Sequence, residues 1–289
     1  MSLLQVILLA SVQGLAELLP VSSSAHVVVA EKLMGLDPSS PPMTLLLVML
    51  HTGTMVAVII YFWRQWRSAY FPSMAAFKDA AVKIILATAL TGAIGEGTIK
   101  IIEKTVLDGV EGAQIEDLFS HLEIIAPALA VGGILILIAG VLDVRKPFGS
   151  DMGPSGLNRR QAGLIGAVQG LCLPFRGFSR SGATISAGML VGVPKSRAEA
   201  FSFALAVVLT PAVVAREAIR LVHVQSTGGT RALLSAFTPS LLGAVLAFLA
   251  GLLALKWLSR WLEGGRWYLF GIYCIIASAV VFVLHRNGY

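Results

Sequence analysis

Charge is what this chain has least of. Only 13% of its 289 residues are Asp, Glu, Lys or Arg, against 56% apolar residues and a mean hydropathy of +0.81. Soluble domains carry about a quarter charged residues, so that class is excluded. Intrinsic disorder is excluded too, because it requires few Leu, Ile, Val and Phe. Cysteine is nearly missing: Cys172 and Cys274 both lie inside apolar runs, which argues against a disulfide framework or a thiolate metal site. The N-terminus has no basic n-region, so a cleaved leader is not expected. What is left is a polytopic membrane protein whose charges are confined to loops and a few working points. The formal net charge of +6 is then the Lys and Arg excess of loops on one membrane face, and no nucleic-acid partner is expected.

A helix needs about 20 apolar residues to cross the hydrocarbon core. Six stretches qualify: 43–62, 81–101, 122–142, 199–219, 239–257 and 267–285. Two further apolar regions, 1–35 and 161–193, are interrupted near their middles, the first around Leu19-Pro20-Val21-Ser22-Ser23-Ser24 and the second between Leu173 and Thr184. Irregular backbone at membrane depth is tolerated only where it is buried in protein or lines a wet cavity, which predicts two re-entrant helix–loop–helix hairpins. The expected fold class is an all-α polytopic membrane protein, six transmembrane helices plus these hairpins in one integral membrane domain. Loop charge orients it. If the first hairpin opens outward, the loops 63–83, 143–160, 194–198 and 256–266 face the cytoplasm and gather most of the basic residues, Arg64, Arg67, Arg145, Lys146, Arg159 and Arg160 among them. The loop 102–121 on the other side is acidic, with Asp108, Glu111, Glu116 and Asp117.

The chain also repeats itself. Val12-Gln13-Gly14-Leu15 recurs as Val168-Gln169-Gly170-Leu171, and each copy leads into Leu-Pro and then a serine-bearing turn. Three expected spans separate the copies, so the second hairpin opens toward the opposite face. That is an inverted-topology repeat, with halves of about 1–145 and 158–289. In such folds the broken segments meet near the midplane and build the site there.

The residues at the two breaks define the chemistry. Gln13 and Glu17 stand four apart and share a helix face. Pro20 stops that helix; Ser22, Ser23 and Ser24 open the next, with His26 one turn in. In the second hairpin Gly177 and Gly182 bracket Phe178-Ser179-Arg180-Ser181, and Thr184 is expected to begin a helix. Two helix starts with free N–H groups suit an anion, and the guanidinium of Arg180 suits phosphate oxygens. Glu17 and His26 do not suit an anion directly; they suit a divalent cation bridging to phosphate and a proton carrier. Together the set points to phosphoryl transfer. Plainer readings compete residue by residue. A serine at a helix start is ordinarily a cap, and His51 in Leu50-His51-Thr52-Gly53-Thr54 reads as structural. Charge at mid-bilayer is different: at about 2.5–3.5 kcal/mol per residue it makes function the default for Glu17 and Arg180, with Arg176 and Arg216 under the same rule.

These motifs resemble the undecaprenyl-diphosphate phosphatase family of bacteria, also known for bacitracin resistance. The family's Glu/Gln-x-x-x-Glu pattern followed by Pro-Val-Ser-Ser-x-x-His is matched by Gln13, Glu17, Pro20, Val21, Ser22, Ser23 and His26. Its Pro-Gly-x-Ser-Arg-Ser-Gly-x-Thr motif is matched by Gly177, Ser179, Arg180, Ser181, Gly182 and Thr184. The resemblance implies removal of the terminal phosphate from undecaprenyl diphosphate, which recycles the lipid carrier of peptidoglycan synthesis. It implies the bacterial inner membrane, a site open to the periplasm, and Mg²⁺ or Ca²⁺. By position, Ser23 takes the nucleophile's place, with a neighbouring serine or direct attack by water as alternatives. Glu17 takes the metal or catalytic carboxylate, His26 the acid/base, and Arg180 the diphosphate clamp; Ser22, Ser179, Ser181, Gly182 and Thr184 are substrate contacts. Two departures stand out. Gln13 is the neutral option at its position, so a metal held by Gln13 and Glu17 leans on Glu17; and Arg176 replaces the family's Pro, where it can add a phosphate contact.

The implied partners are a polyprenyl diphosphate lipid, the membrane lipids around the chain and a second copy of it in a homodimer. The rival reading is a secondary transporter or lipid flippase, since inverted repeats with broken hairpins are also a transporter architecture. A lipid phosphatase of the acid-phosphatase superfamily is ruled out: it requires His six residues after the Ser-Arg arginine, where this chain has Ser186.

Overall fold

In the computed structural model the described residues are 1–38, 40–106, 115, 118, 121–143, 156–225, 230–263 and 266–289, with side chains described except at 41, 106, 143, 213, 216–225, 230–236 and 258–263. Arg145, Lys146 and the acidic Asp108, Glu111, Glu116 and Asp117 lie outside the described residues, as does the side chain of Arg216. The described secondary structure is α-helical throughout. In chain order the helices are α1 (Leu3–Leu18), α2 (Ser23–Leu33), α3 (Pro41–Tyr70), α4 (Met74–Val106), α5 (Leu122–Asp143), α6 (Arg159–Cys172), α7 (Arg180–Leu190), α8 (Lys195–Gln225), α9 (Thr230–Glu263) and α10 (Tyr268–Arg286).

Among the described residues five stretches are long and apolar enough to cross a membrane: Pro42–Tyr70, Met74–Thr105, Leu122–Leu142, Phe237–Trp257 and Tyr268–Arg286. The chain is an all-α polytopic membrane protein. The stretch 199–219 lies inside α8, a continuous helix of 31 residues. The helices overrun the apolar stretches that announce them. The expected loop 63–83 is a correction: all but a short turn at 71–73 is helical, the end of α3 and the start of α4. Hydropathy marks where lipid begins, whereas a helix persists as long as its carbonyls find N–H partners. Lys and Arg stems can lie along it with their heads in water.

The two interrupted regions are short helices around a break. α1 and α2 have 16 and 11 residues, α6 and α7 have 14 and 11, each below the about 20 that a crossing needs. Ser2 and Gln5 close a capping box at the start of α1. That helix ends at Leu19, whose extended backbone (ψ 148) is what the ring of Pro20 imposes on the residue before it. Ser22 then takes a left-handed conformation, φ 68, which turns the chain into α2. Asn158 and Gln161 form the equivalent capping box of α6.

The helices assemble into two compact units. The first comprises Met1–Leu19, Ser23–Tyr61 and Ala206–Arg260; the second comprises Pro20–Ser22, Phe62–Leu205 and Trp261–Tyr289. In the first, Val6, Leu9 and Ala10 of α1 pack on Val27 of α2, Met43, Leu46 and Leu50 of α3 and Ala247 of α9. Gly53 sets the α3–α9 contact: a Cβ there would stand 2.1 Å from the Ala244 carbonyl oxygen. In the second unit α4 and α6 touch through Gly166, whose Cβ would stand 2.3 Å from the Ala87 carbonyl oxygen. Small residues are what permit such close approach of membrane helices, since lipid tails compete with any larger apolar side chain. Phe62 stacks on Trp66 and leans on Phe203, and Trp66 Nε1 donates to the Ala200 carbonyl at 3.0 Å.

Candidate active site

In the first unit the site is built around one carboxylate. Gln13 is fully buried and Glu17, one turn on along α1, is 7% exposed. Three groups converge on Glu17 Oε2. Gln13 Nε2 donates to it at 3.1 Å. The hydroxyl of Ser23, first residue of α2, donates to it as well. His51 Nε2 of α3 stands 3.5 Å away. A hydroxyl held on a buried carboxylate is the arrangement that activates an alcohol as nucleophile: the acceptor is in place to take the proton. The break makes this possible, because α1 stops early enough for Ser23 to reach back six residues to Glu17.

His51 is the residue the sequence reading passed over as structural. Its Nδ1 lies 2.9 Å from the Leu47 carbonyl. A carbonyl only accepts, so Nδ1 carries a hydrogen and Nε2 is the nitrogen turned to Glu17; the imidazolium form carries a hydrogen there too and can donate to the carboxylate. Leu50 in the core and Gly53 against α9 fix the rotation of α3 that aims it. The one sequence hint was a His in a Thr/Gly-rich stretch at the start of a span. His26, half-buried, follows Ser23 by three residues on α2 and so lies on its side of the helix. Ser22 is buried at the left-handed turn and Ser24 is half-buried.

The second hairpin presents Arg180 as the first residue of α7, half-buried, after a break that contains the half-buried Arg176. Gly177 has φ +107, and a Cβ there would stand 2.5 Å from the Ile125 carbonyl oxygen, so glycine alone fits. Ser179 is the N-cap, its Oγ accepting from the Gly182 N–H at 3.2 Å. Thr184 does not begin a helix as expected. α7 starts at Arg180 because Ser179 caps it, which leaves Thr184 in the second turn, fully buried. Its hydroxyl donates to the Arg180 carbonyl at 2.7 Å and meets Ser202 Oγ at 2.6 Å. Ser181 is 5% exposed, and Gly182 packs on Ile136 of α5. Gln13, Glu17, Ser23, His26 and His51 belong to the first unit; Ser22, Arg176, Ser179, Arg180, Ser181, Gly182 and Thr184 belong to the second.

For a divalent cation the first unit offers oxygens. Among the described residues no group of three or more His, Cys, Asp or Glu gathers as a metal cluster. Gln13 Oε1, however, is buried without a hydrogen-bond partner among the described residues, one turn from the Glu17 carboxylate. A carboxylate and an amide carbonyl are the hard ligands that Mg²⁺ and Ca²⁺ prefer. Mg²⁺ in particular commonly takes one or two protein oxygens and completes its shell with phosphate and water. The donor set fits such an ion.

The family model described as Bacitracin resistance protein BacA matches residues 6–280. The chain belongs to the BacA family. The match takes in both breaks and the site residues described above. Undecaprenyl-diphosphatase 2 of Acinetobacter baylyi is 58% identical over 287 residues, 98% of each chain. Undecaprenyl-diphosphatase of Desulfosudis oleivorans is 34% identical, covering 96% of each chain. Undecaprenyl-diphosphatase 2 of Burkholderia ambifaria is 32% identical, covering 99% of each. BacA relatives thus align with this chain from end to end, including the helix breaks.

Proposed function

We propose that this BacA-family protein hydrolyses undecaprenyl diphosphate to undecaprenyl phosphate and inorganic phosphate. The observation that carries the reading is the buried Ser23 hydroxyl donating to Glu17, with Gln13 bracing the same oxygen. Ser23 Oγ attacks the terminal phosphorus as its proton passes to Glu17, and the bond from that phosphorus to the bridging oxygen breaks. Undecaprenyl phosphate leaves with that oxygen. Water then attacks the phosphoserine, inorganic phosphate departs, and Ser23 recovers its proton. His26, beside Ser23 on α2, moves the proton of the water. His51 holds Glu17. Arg180 and Arg176 hold phosphate oxygens as planar forks. Gln13 Oε1 and Glu17 would hold Mg²⁺ or Ca²⁺, and the ion would supply positive charge that offsets that of the diphosphate.

The same reading extends to the membrane. The fold is six spans and two re-entrant hairpins related as inverted repeats, with the site open to the periplasm. The repeated Val-Gln-Gly-Leu and the charge of the loops support it. The C55 tail stays in lipid between helices, and a homodimer is the assembly in the bilayer. The test is phosphate release from a long-chain prenyl diphosphate by Ser23→Ala and Arg180→Ala proteins. Losses of about a hundredfold or more are expected, since each removes a group acting on the reacting phosphate. Near-wild-type rates for both would overturn the assignment.

A further inference from the structure

Away from the site, α4 and α6 run side by side in the same direction. Gly163 meets Leu86 and Leu90, Gly166 meets Ala87, and Gly170 meets Thr91 and Gly95, so the numbers rise together. Beside this contact lies an open groove of about 550 Å³, lined by Leu86, Leu90, Gly163, Leu164 and Ala167 and ending in Arg159 and Arg160. The arginines are the first two residues of α6 and both are exposed. Neither has an ion pair or hydrogen bond among the described residues. Because the helices are parallel, the arginines share an end with Lys78, Asp79 and Lys83 of α4. Asp79 there is already held by Lys83 at 2.6 Å. Two cations at a helix start also run against the helix dipole, an arrangement that an anion beside them relieves.

We propose that this groove binds an anionic phospholipid of the surrounding bilayer, its phosphate on Arg159 and Arg160 and one acyl chain along Leu86, Leu90 and Leu164. The complementarity has two parts. Two cations at one end select net negative charge over a zwitterionic head, and a wall of carbon takes the chain. Basic pockets between membrane helices bind anionic head groups on these grounds. The site is independent of the phosphatase reading and uses none of its residues.

Native mass spectrometry of the full chain, offered phosphatidylglycerol and phosphatidylcholine with the same acyl chains, tests it. The wild-type protein should retain phosphatidylglycerol preferentially, and Arg159→Gln with Arg160→Gln should cut that preference by about fivefold per arginine. Ala167→Phe fills the groove without touching the charges and should lower phosphatidylglycerol retention to a similar extent. Phosphate release by these variants should match wild type, which also shows that they fold. Undiminished retention by the double arginine variant overturns the proposal. So does undiminished retention by Ala167→Phe, which would reduce the effect to surface charge. Displacement of phosphatidylglycerol by an equimolar prenyl phosphate would assign the groove to the tail of the reaction's own lipid, and loss of a dimer with no change in lipid would assign it to a second copy of the chain.

Discussion

Around Glu17 Oε2, each neighbour has a separable effect. His51→Leu removes the group 3.5 Å from the carboxylate, whereas His51→Gln can still donate to it. Losing a hydrogen bond to a charged group costs about 1.5–3 kcal/mol, so the leucine variant should lose about tenfold or more in kcat. The glutamine variant should stay within about threefold of wild type. KM should be unchanged in both, because His51 touches Glu17 and not the lipid; steady-state phosphate release reads all three quantities. Gln13→Glu places a second carboxylate one turn from Glu17. It should lower the Mg²⁺ or Ca²⁺ concentration needed for half-maximal activity by about tenfold, and EDTA should silence it and wild type alike. The Gln13–Glu17–Ser23 grouping was legible in the sequence because two of its members share a helix face and Pro20 ends that helix. His51 was not legible, since its partner lies on another helix and no local spacing encodes that meeting. Thr184 was misplaced for the opposite reason: three hydroxyls, of Ser179, Ser181 and Thr184, stood near one helix start, and only the Gly182 N–H decides which of them caps it.

Helix contacts in both units depend on the absence of a side chain. Gly53→Leu drives carbon into the Ala244 carbonyl, and Gly166→Leu does the same at Ala87. Each should destabilise by about 1–3 kcal/mol or more through overpacking, seen as a lower Tm in detergent by circular dichroism. Ser22→Gly should act in the other direction. Its left-handed backbone, φ 68, costs a residue with a Cβ about 1–2 kcal/mol, and glycine is relieved of that cost. A raised Tm with phosphate release intact would mark Ser22 as a turn residue; a raised Tm with lost turnover would mark its hydroxyl as a substrate contact. The breaks themselves were readable from Pro, Gly and Ser. The helix ends were not, because α3, α4 and α9 continue through the basic residues that were read as loop.

At the scale of the whole molecule, the uneven spread of basic residues makes a claim about sidedness. Cysteine placed at exposed Ser73, in the turn between α3 and α4, should react with an impermeant maleimide only in opened membranes. Cysteine placed at exposed Asp37, after the first hairpin, should react in intact cells whose outer barrier has been made porous. The reverse pattern would invert the orientation. The two natural thiols make this experiment unusually clean. Cys172 is buried with its Sγ donating to the Val168 carbonyl at 3.1 Å, and Cys274 is buried with its Sγ 3.6 Å from the Pro20 carbonyl. A thiol so enclosed is out of reach of a bulky aqueous reagent. The natural sequence therefore serves as its own silent background, and every labelled molecule reports on the one residue that was added.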